Sequence, residues 1–174
     1  MSINGVESLI KKLNALGGNA NKILETSIAK QTKLVQGEAK DLCPEDSGDL
    51  RKNIFTDVKS ENEKITGKIF TNIEYAPYVE FGTGKKGEAS SGDKYPGPLS
   101  YKQDKWRVNI PDVGVRWIEG QPAQPFLYPA LKNNEDLIKK NIKEDIKKEI
   151  ERLCKKWLML KIKFMQLLRI YLQM

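Results

Sequence analysis

Apolar residues recur at helical intervals at both ends of this chain and hold no sustained interval through much of its middle. Near the start, Val6, Leu9, Ile10, Leu13 and Leu16 share one face and stop at Gly17 and Gly18, which predicts a short amphipathic helix with a glycine end. A second helix is predicted from about Ala20 to Leu42, with Ile23, Leu24, Ile28, Val35, Ala39 and Leu42 along one side. It ends before Pro44, whose ring disfavours helical dihedrals in the preceding residue. The longest stripe closes the chain: Ile138, Ile142, Ile146, Ile150, Leu153, Trp157, Leu160, Phe164, Leu167, Tyr171 and Met174 advance by four or three. Acid-before-base pairs four residues apart, Glu144 with Lys148 among them, add about 0.2–0.5 kcal/mol each. A helix of roughly 40 residues would run about 60 Å.

Between these helices the pattern changes. The cluster CPEDSGDLRKNI reads as a turn, with Asp46 or Ser47 placed to cap a short helix through DLRKNI at about 1 kcal/mol. The runs NIFTDVK and KITGKIFTN flank the polar SENE and are rich in β-branched and aromatic residues, which predicts an antiparallel hairpin. Residues 84–113 are rich in Gly, Ser, Pro and Lys without a period, and read as a long exposed loop. VGVRWIEG returns as a final strand, and GQPAQPFLYPAL sets three prolines just before the last helix. The fold class expected is α+β, with N-terminal helices, a small antiparallel sheet carrying a long inserted loop, and a long amphipathic C-terminal helix. The division expected is a body over residues 1–131 and a basic helical extension over 132–174.

With 174 residues, 39% hydrophobic and 30% charged, the chain has enough apolar material for one core. It has no histidine, so imidazole bases, histidine-paired nucleophiles and histidine metal sites are excluded together. Cys43 and Cys154 form no CxxC pair, and no zinc site or disulfide framework is indicated. MSINGVESLI lacks a signal-peptide pattern, so the expectation is a chain made in the cytoplasm with reduced thiols.

Charge is unevenly spread. Residues 132–174 hold twelve Lys or Arg against six Asp or Glu, a balance of +6 that leaves +1 of the total +7 for everything before them. Sequence-specific DNA reading would put basic residues among aromatics on the folded body, and here the body is nearly neutral. The tail WLMLKIKFMQLLRIYLQM has 18 residues, near the lower limit for crossing a bilayer, but it holds Lys161, Lys163 and Arg169. An interfacial helix remains compatible with it, since six positive residues and no acid follow Glu151.

The run YVEFGTGKKG invites a nucleotide-binding reading. A phosphate loop, however, needs a glycine five residues before its Gly-Lys and a hydroxyl residue after it. Val79 and Lys86 stand there instead. Asp46, Asp49, Glu74 and Glu80 lie near glycines but form no catalytic constellation, and neither a cofactor nor a metal site is expected.

Three blocks in fixed order do form a set: LCPEDSGDLRKNI, YAPYVEFGTG and QPAQPFLYPAL. Together they resemble a tailed-bacteriophage family of neck, head-tail connector and tail-completion proteins, of the minor tail component type found in lambdoid siphophages. Pro44, Asp46, Gly48, Leu50 and Arg51 match the first block, with Ser47 in place of the usual threonine. Tyr75, Ala76, Val79, Glu80, Phe81, Gly82 and Thr83 match the second. Pro125, Phe126, Leu127, Pro129, Ala130 and Leu131 match the third. The resemblance covers about residues 1–140 and leaves out the hydrophobic end after Leu153.

What the resemblance implies is a non-enzymatic virion protein, from a phage or prophage, assembled in the bacterial cytoplasm as a ring between portal and tail tube. Six copies are favoured and twelve are possible. Its partners would be itself and other neck, portal-side or tail-tube proteins, with at most non-specific DNA contact in the channel. In such a protein Tyr75, Val79 and Phe81 would bury apolar area, Gly82 and Gly84 would turn the chain, and Glu80 would pair with Arg51 or another base. Ile146, Ile150, Leu153, Trp157, Leu160 and Phe164 are the candidate interface on the last helix. The competing reading is a basic amphipathic-helix module that binds membrane surfaces, which is not favoured.

Overall fold

The computed structural model describes Lys11, Asn14 and residues 20–61, 64–91, 95 and 97–171. The fold is α+β. Helix α1 spans Ala20–Leu42, a one-turn helix α2 spans Asp49–Lys52, strands β1 (Ile54–Glu61) and β2 (Lys64–Thr71) pair with each other, and helices α3 (Ala76–Phe81) and α4 (Gly84–Ser91) follow. Strands β3 (Trp106–Ile110) and β4 (Gly114–Ile118) form a second two-stranded sheet before the long helix α5 (Leu127–Tyr171). The helix expected over residues 6–16 lies outside the described residues, apart from Lys11 and Asn14, both helical.

Two compact units divide these elements: residues 1–31, 58–67 and 136–174 in one, residues 32–57 and 68–135 in the other. In the first, Ala20 and Leu24 of α1 pack with Ile142 and Leu153 of α5, joined by Ile28, Ile65, Ile138, Ile146 and Ile150. This seam has a polar centre. Ser27 donates to the Asp145 carboxylate at 2.6 Å, and the Asn141 amide donates to Gln31 Oε1 at 2.9 Å. Buried polar groups are tolerated only when satisfied, and each such pair fits one antiparallel register of the two helices. Ion pairs on α5 include Asp136 with Lys139 and Glu149 with Arg152, three residues apart rather than four.

In the second unit Val35, Ala39 and Cys43 pack in a core with Leu50, Ile54, Ala76, Phe126 and Ala130. Gln36 Nε2 donates to the Ile54 carbonyl at 2.6 Å, and the Phe55 and Phe70 rings lie 6.0 Å apart across the hairpin. Leu42, expected on the apolar side of α1, is exposed, and Cys43 beside it is buried instead.

The structure corrects the reading of residues 84–113 as one exposed loop. GKKGEASS is helical, with Gly84, Gly87 and Ser91 buried, and WRVNI is a strand paired antiparallel with β4, from Trp106 opposite Ile118 to Ile110 opposite Gly114. Gly87 is buried because residue 82 is also glycine: a Cβ on Gly87 would come within 2.6 Å of the Gly82 carbonyl carbon. That close approach gives α4 its packing, and no hydrophobic period announces it. Pro129, expected ahead of the last helix, sits in its first turn.

Candidate functional site

The first motif block makes a corner and a one-turn helix. Gly48 takes φ 77°, Ser47 Oγ accepts from the Asp49 amide at 3.3 Å, and α2 then carries Leu50 into the core. The capping role expected of Asp46 or Ser47 falls to neither: Gly48 is the N-cap residue and no side chain bonds there, Ser47 stands one residue before it, and Asp46 is exposed. Arg51 reaches Asp41 and Glu45, each at 3.6 Å.

The second block builds α3. Pro77 is tolerated in its first turn because that amide has no helical acceptor, Ala76 faces the core, and Gly82 at φ 71° ends the helix. Only glycine fits there: a Cβ would lie 2.6 Å from both the Ala123 nitrogen and the Gly87 Cα. Residues 121–124 run alongside as a short ladder, the Thr83 amide donating to the Gln121 carbonyl at 2.9 Å, the Gln121 amide to the Thr83 carbonyl at 3.1 Å, and the Gln124 amide to the Val79 carbonyl at 2.8 Å.

That ladder delivers the third block to Glu80. The carboxylate, 4% exposed, accepts from the backbone amides of Phe126 at 2.7 Å, Leu127 at 2.9 Å and Tyr128 at 2.9 Å. The first four amides of an α-helix have no partner within it. Here three are satisfied by one carboxylate and the fourth position is Pro129, which has no amide hydrogen. The negative charge also sits at the positive end of the α5 dipole. Glu80 does not pair with Arg51, as the sequence reading had it; the buried amides take both its oxygens, and Arg51 stays with Asp41 and Glu45.

Two tyrosines that sequence reasoning missed complete the cap. Tyr95 donates to the Glu80 carbonyl at 2.9 Å and lies 4.8 Å from the Phe81 ring and 5.1 Å from the Tyr128 ring. Tyr101 donates to the Phe81 carbonyl at 2.9 Å. Burial, then the nearby Glu80 charge, push the Tyr95 phenol above its ordinary range. Nothing in the aperiodic stretch between α4 and β3 marked these residues except their being aromatic.

The second and third blocks thus meet around one buried carboxylate, with Phe126 fully buried and Ala130 also in the core, while Val79, Phe81, Thr83, Pro125, Leu127 and Pro129 are half-buried. Leu131 and Tyr75 are exposed, the latter against the expectation of burial. Tyr75 and Tyr78 instead wall a cleft of about 540 Å³ whose other sides are Pro44–Gly48, Leu50, Val79, Thr83, Gln121 and Gln124. The charged residues of its lining, Glu45 and Asp46, are both acidic. On α5, Ile146 and Ile150 are half-buried and Leu153 is buried, but Trp157, Leu160 and Phe164 are exposed. Among the described residues no cluster of three or more acids or thiols could hold a metal, and no helix is long and apolar enough to cross a membrane.

Compared with known families, residues 7–82 match the model of the family described as "Bacteriophage HK97-gp10, putative tail-component". The match takes in the first motif block and the second as far as Gly82, so Thr83, Gly84 and the third block lie outside it. No curated protein and no solved structure matches the chain.

Proposed function

We propose that this chain, whose residues 7–82 carry the sequence of a phage tail-component family, is a structural subunit of the virion neck or tail that takes its place in a ring joining or completing the head-tail interface. The observation that carries the reading is the use made of the motif acid. Glu80, the carboxylate of the second block, is buried where a catalytic or ligand-binding group would be sought, and its oxygens are occupied by backbone amides at the start of α5. The motif therefore holds a scaffold together and presents a cleft; it does not arrange reacting groups. A subunit of a closed ring must offer two different surfaces to its neighbours, and six copies suit a tail better than twelve. Contacts with portal-side or tail-tube proteins complete its place, DNA in the channel being met through backbone charge alone.

Electron microscopy of lysates from a host whose prophage lacks the gene tests the proposal. DNA-filled heads beside separate tails of normal length are the result expected of a joining subunit, and overlong tails that of a tail terminator. Intact infectious particles would contradict both. The exposed Trp157, Leu160 and Phe164 on a segment with no acid after Glu151 favour a second reading, a helix that lies on anionic membranes. Flotation with liposomes, compared with and without residues 155–174, decides it, since a ring subunit stays at the bottom of the gradient.

A further inference from the structure

The second compact unit carries two exposed surfaces of complementary character. One is the β3–β4 ribbon. Among the described residues it pairs with no third strand, its turn passes through Asp112 at φ 63° and Gly114 at φ 83°, and Val115 and Trp117 on one face, Ile110 on the other and Val113 in the turn are all exposed, Trp117 at 66%. A two-stranded ribbon is marginal in water without something packed on a face, and this concentration of apolar residues is what a contact surface shows. Its strands carry Arg107 on the face of Trp117 and Arg116 on the other, and its turn carries the exposed Asp112. Lys105 is paired with Glu119 at 2.5 Å, but among the described residues Arg107 and Arg116 meet no carboxylate; Arg107 lies over the Trp117 ring at 6.0 Å.

The other surface is the cleft beside the first two motif blocks. Tyr75 and Tyr78 are exposed along it, and of the two acids in its lining Glu45 pairs with Arg51 at 3.6 Å while Asp46 lies open to solvent. Its volume falls within the roughly 300–1,000 Å³ of pockets that bury a bound group. In this structure the ribbon does not fill it, since Trp117 and Tyr78 are both open to solvent.

We propose that the β3–β4 ribbon of one copy docks in the cleft of the next, with Trp117 entering between the tyrosines and Arg107, on the same face of the ribbon, meeting Asp46. Aromatic residues and arginine are the side chains that dominate such contacts. The two surfaces are different, so the contact is head-to-tail: each copy gives its ribbon to one neighbour and receives a ribbon from the other, which closes a ring when the rotation permits. The inference rests on the ring reading above and names the self-interface that reading requires.

Two full-length variants test it by sedimentation and light scattering, with circular dichroism to establish that both fold. Trp117→Ser with Arg107→Ser removes the ribbon's contacts, and Asp46→Lys reverses the charge of the cleft; all three positions are exposed. The wild-type chain is expected to associate with rising concentration, and each variant alone at least ten-fold more weakly. An equimolar mixture of the two should recover a species of two chains and stop there, because it retains one intact cleft and one intact ribbon. Ribbon variants that assemble like the wild type would overturn the proposal, as would a mixture that fails to recover. A wild-type chain that stays monomeric at high concentration would also overturn it, while leaving the virion reading to stand on the particle phenotype.

Discussion

At its first turn α5 has every backbone donor accounted for, its amides bound to Glu80, and Phe126 and Ala130 wholly buried. Towards its other end the same helix keeps the same apolar spacing but leaves Trp157, Leu160 and Phe164 in solvent. The difference teaches that helical periodicity specifies which side chains share a face, whereas burial depends on what the rest of the chain brings to that face. The second motif block is brought to the first turn. At Leu153 the seam is still covered, 5% exposed, and one turn later Trp157 is 60% exposed.

The sharpest way to break the contrast is Glu80→Ala, which strands three amides at a buried helix start. The expected loss is about 4 kcal/mol, read from urea unfolding, since each buried donor left unsatisfied costs about 1–3 kcal/mol and some would recover water. Glu80→Gln keeps an acceptor oxygen and should lose about half as much. Leu153→Ala comes next, at about 3 kcal/mol, as a buried leucine in the seam with Ala20 and Leu24.

Tyr95→Phe should cost about 1 kcal/mol, the worth of the hydrogen bond to the Glu80 carbonyl. It also carries a pH signature. Because burial and the Glu80 charge raise the phenol above its ordinary value of 10.0, the folded state holds that proton more tightly than the unfolded chain does. The stability this confers is present in full below about pH 10 and falls as the pH rises from there. Urea midpoints measured in that range should fall less steeply in the phenylalanine variant. The smallest effect is Trp157→Ala, expected to stay within about 0.5 kcal/mol in the isolated chain, in contrast to Leu153→Ala on the same stripe.

How much of this was legible in the sequence follows from the kind of signal each part carries. The course of α5 and the β1–β2 hairpin were readable, because a stripe of eleven apolar positions and two β-branched runs around SENE are local patterns. The helix α4 and strand β3 were not, since GKKGEASS has no apolar face and forms where Gly82 and Gly87 let two backbones touch. The motif blocks could be recognised as a set, but not the partner of Glu80: the resemblance suggested Arg51 or another base, and only the fold shows the amides of Phe126, Leu127 and Tyr128 there instead. One clue was present, the proline three residues after Phe126, where a capped helix does not need an amide hydrogen.

Native-state hydrogen exchange at the amides of Phe126, Leu127 and Tyr128 tests most directly whether the motif acid is the cap that binds the second and third blocks. In the wild-type chain these amides should exchange as slowly as the core of their unit, and in Glu80→Gln they should exchange markedly faster while residues around Val35 and Ile54 keep their protection. Unchanged protection in the variant would mean that Glu80 does not hold the start of α5, and that the two blocks come together for another reason.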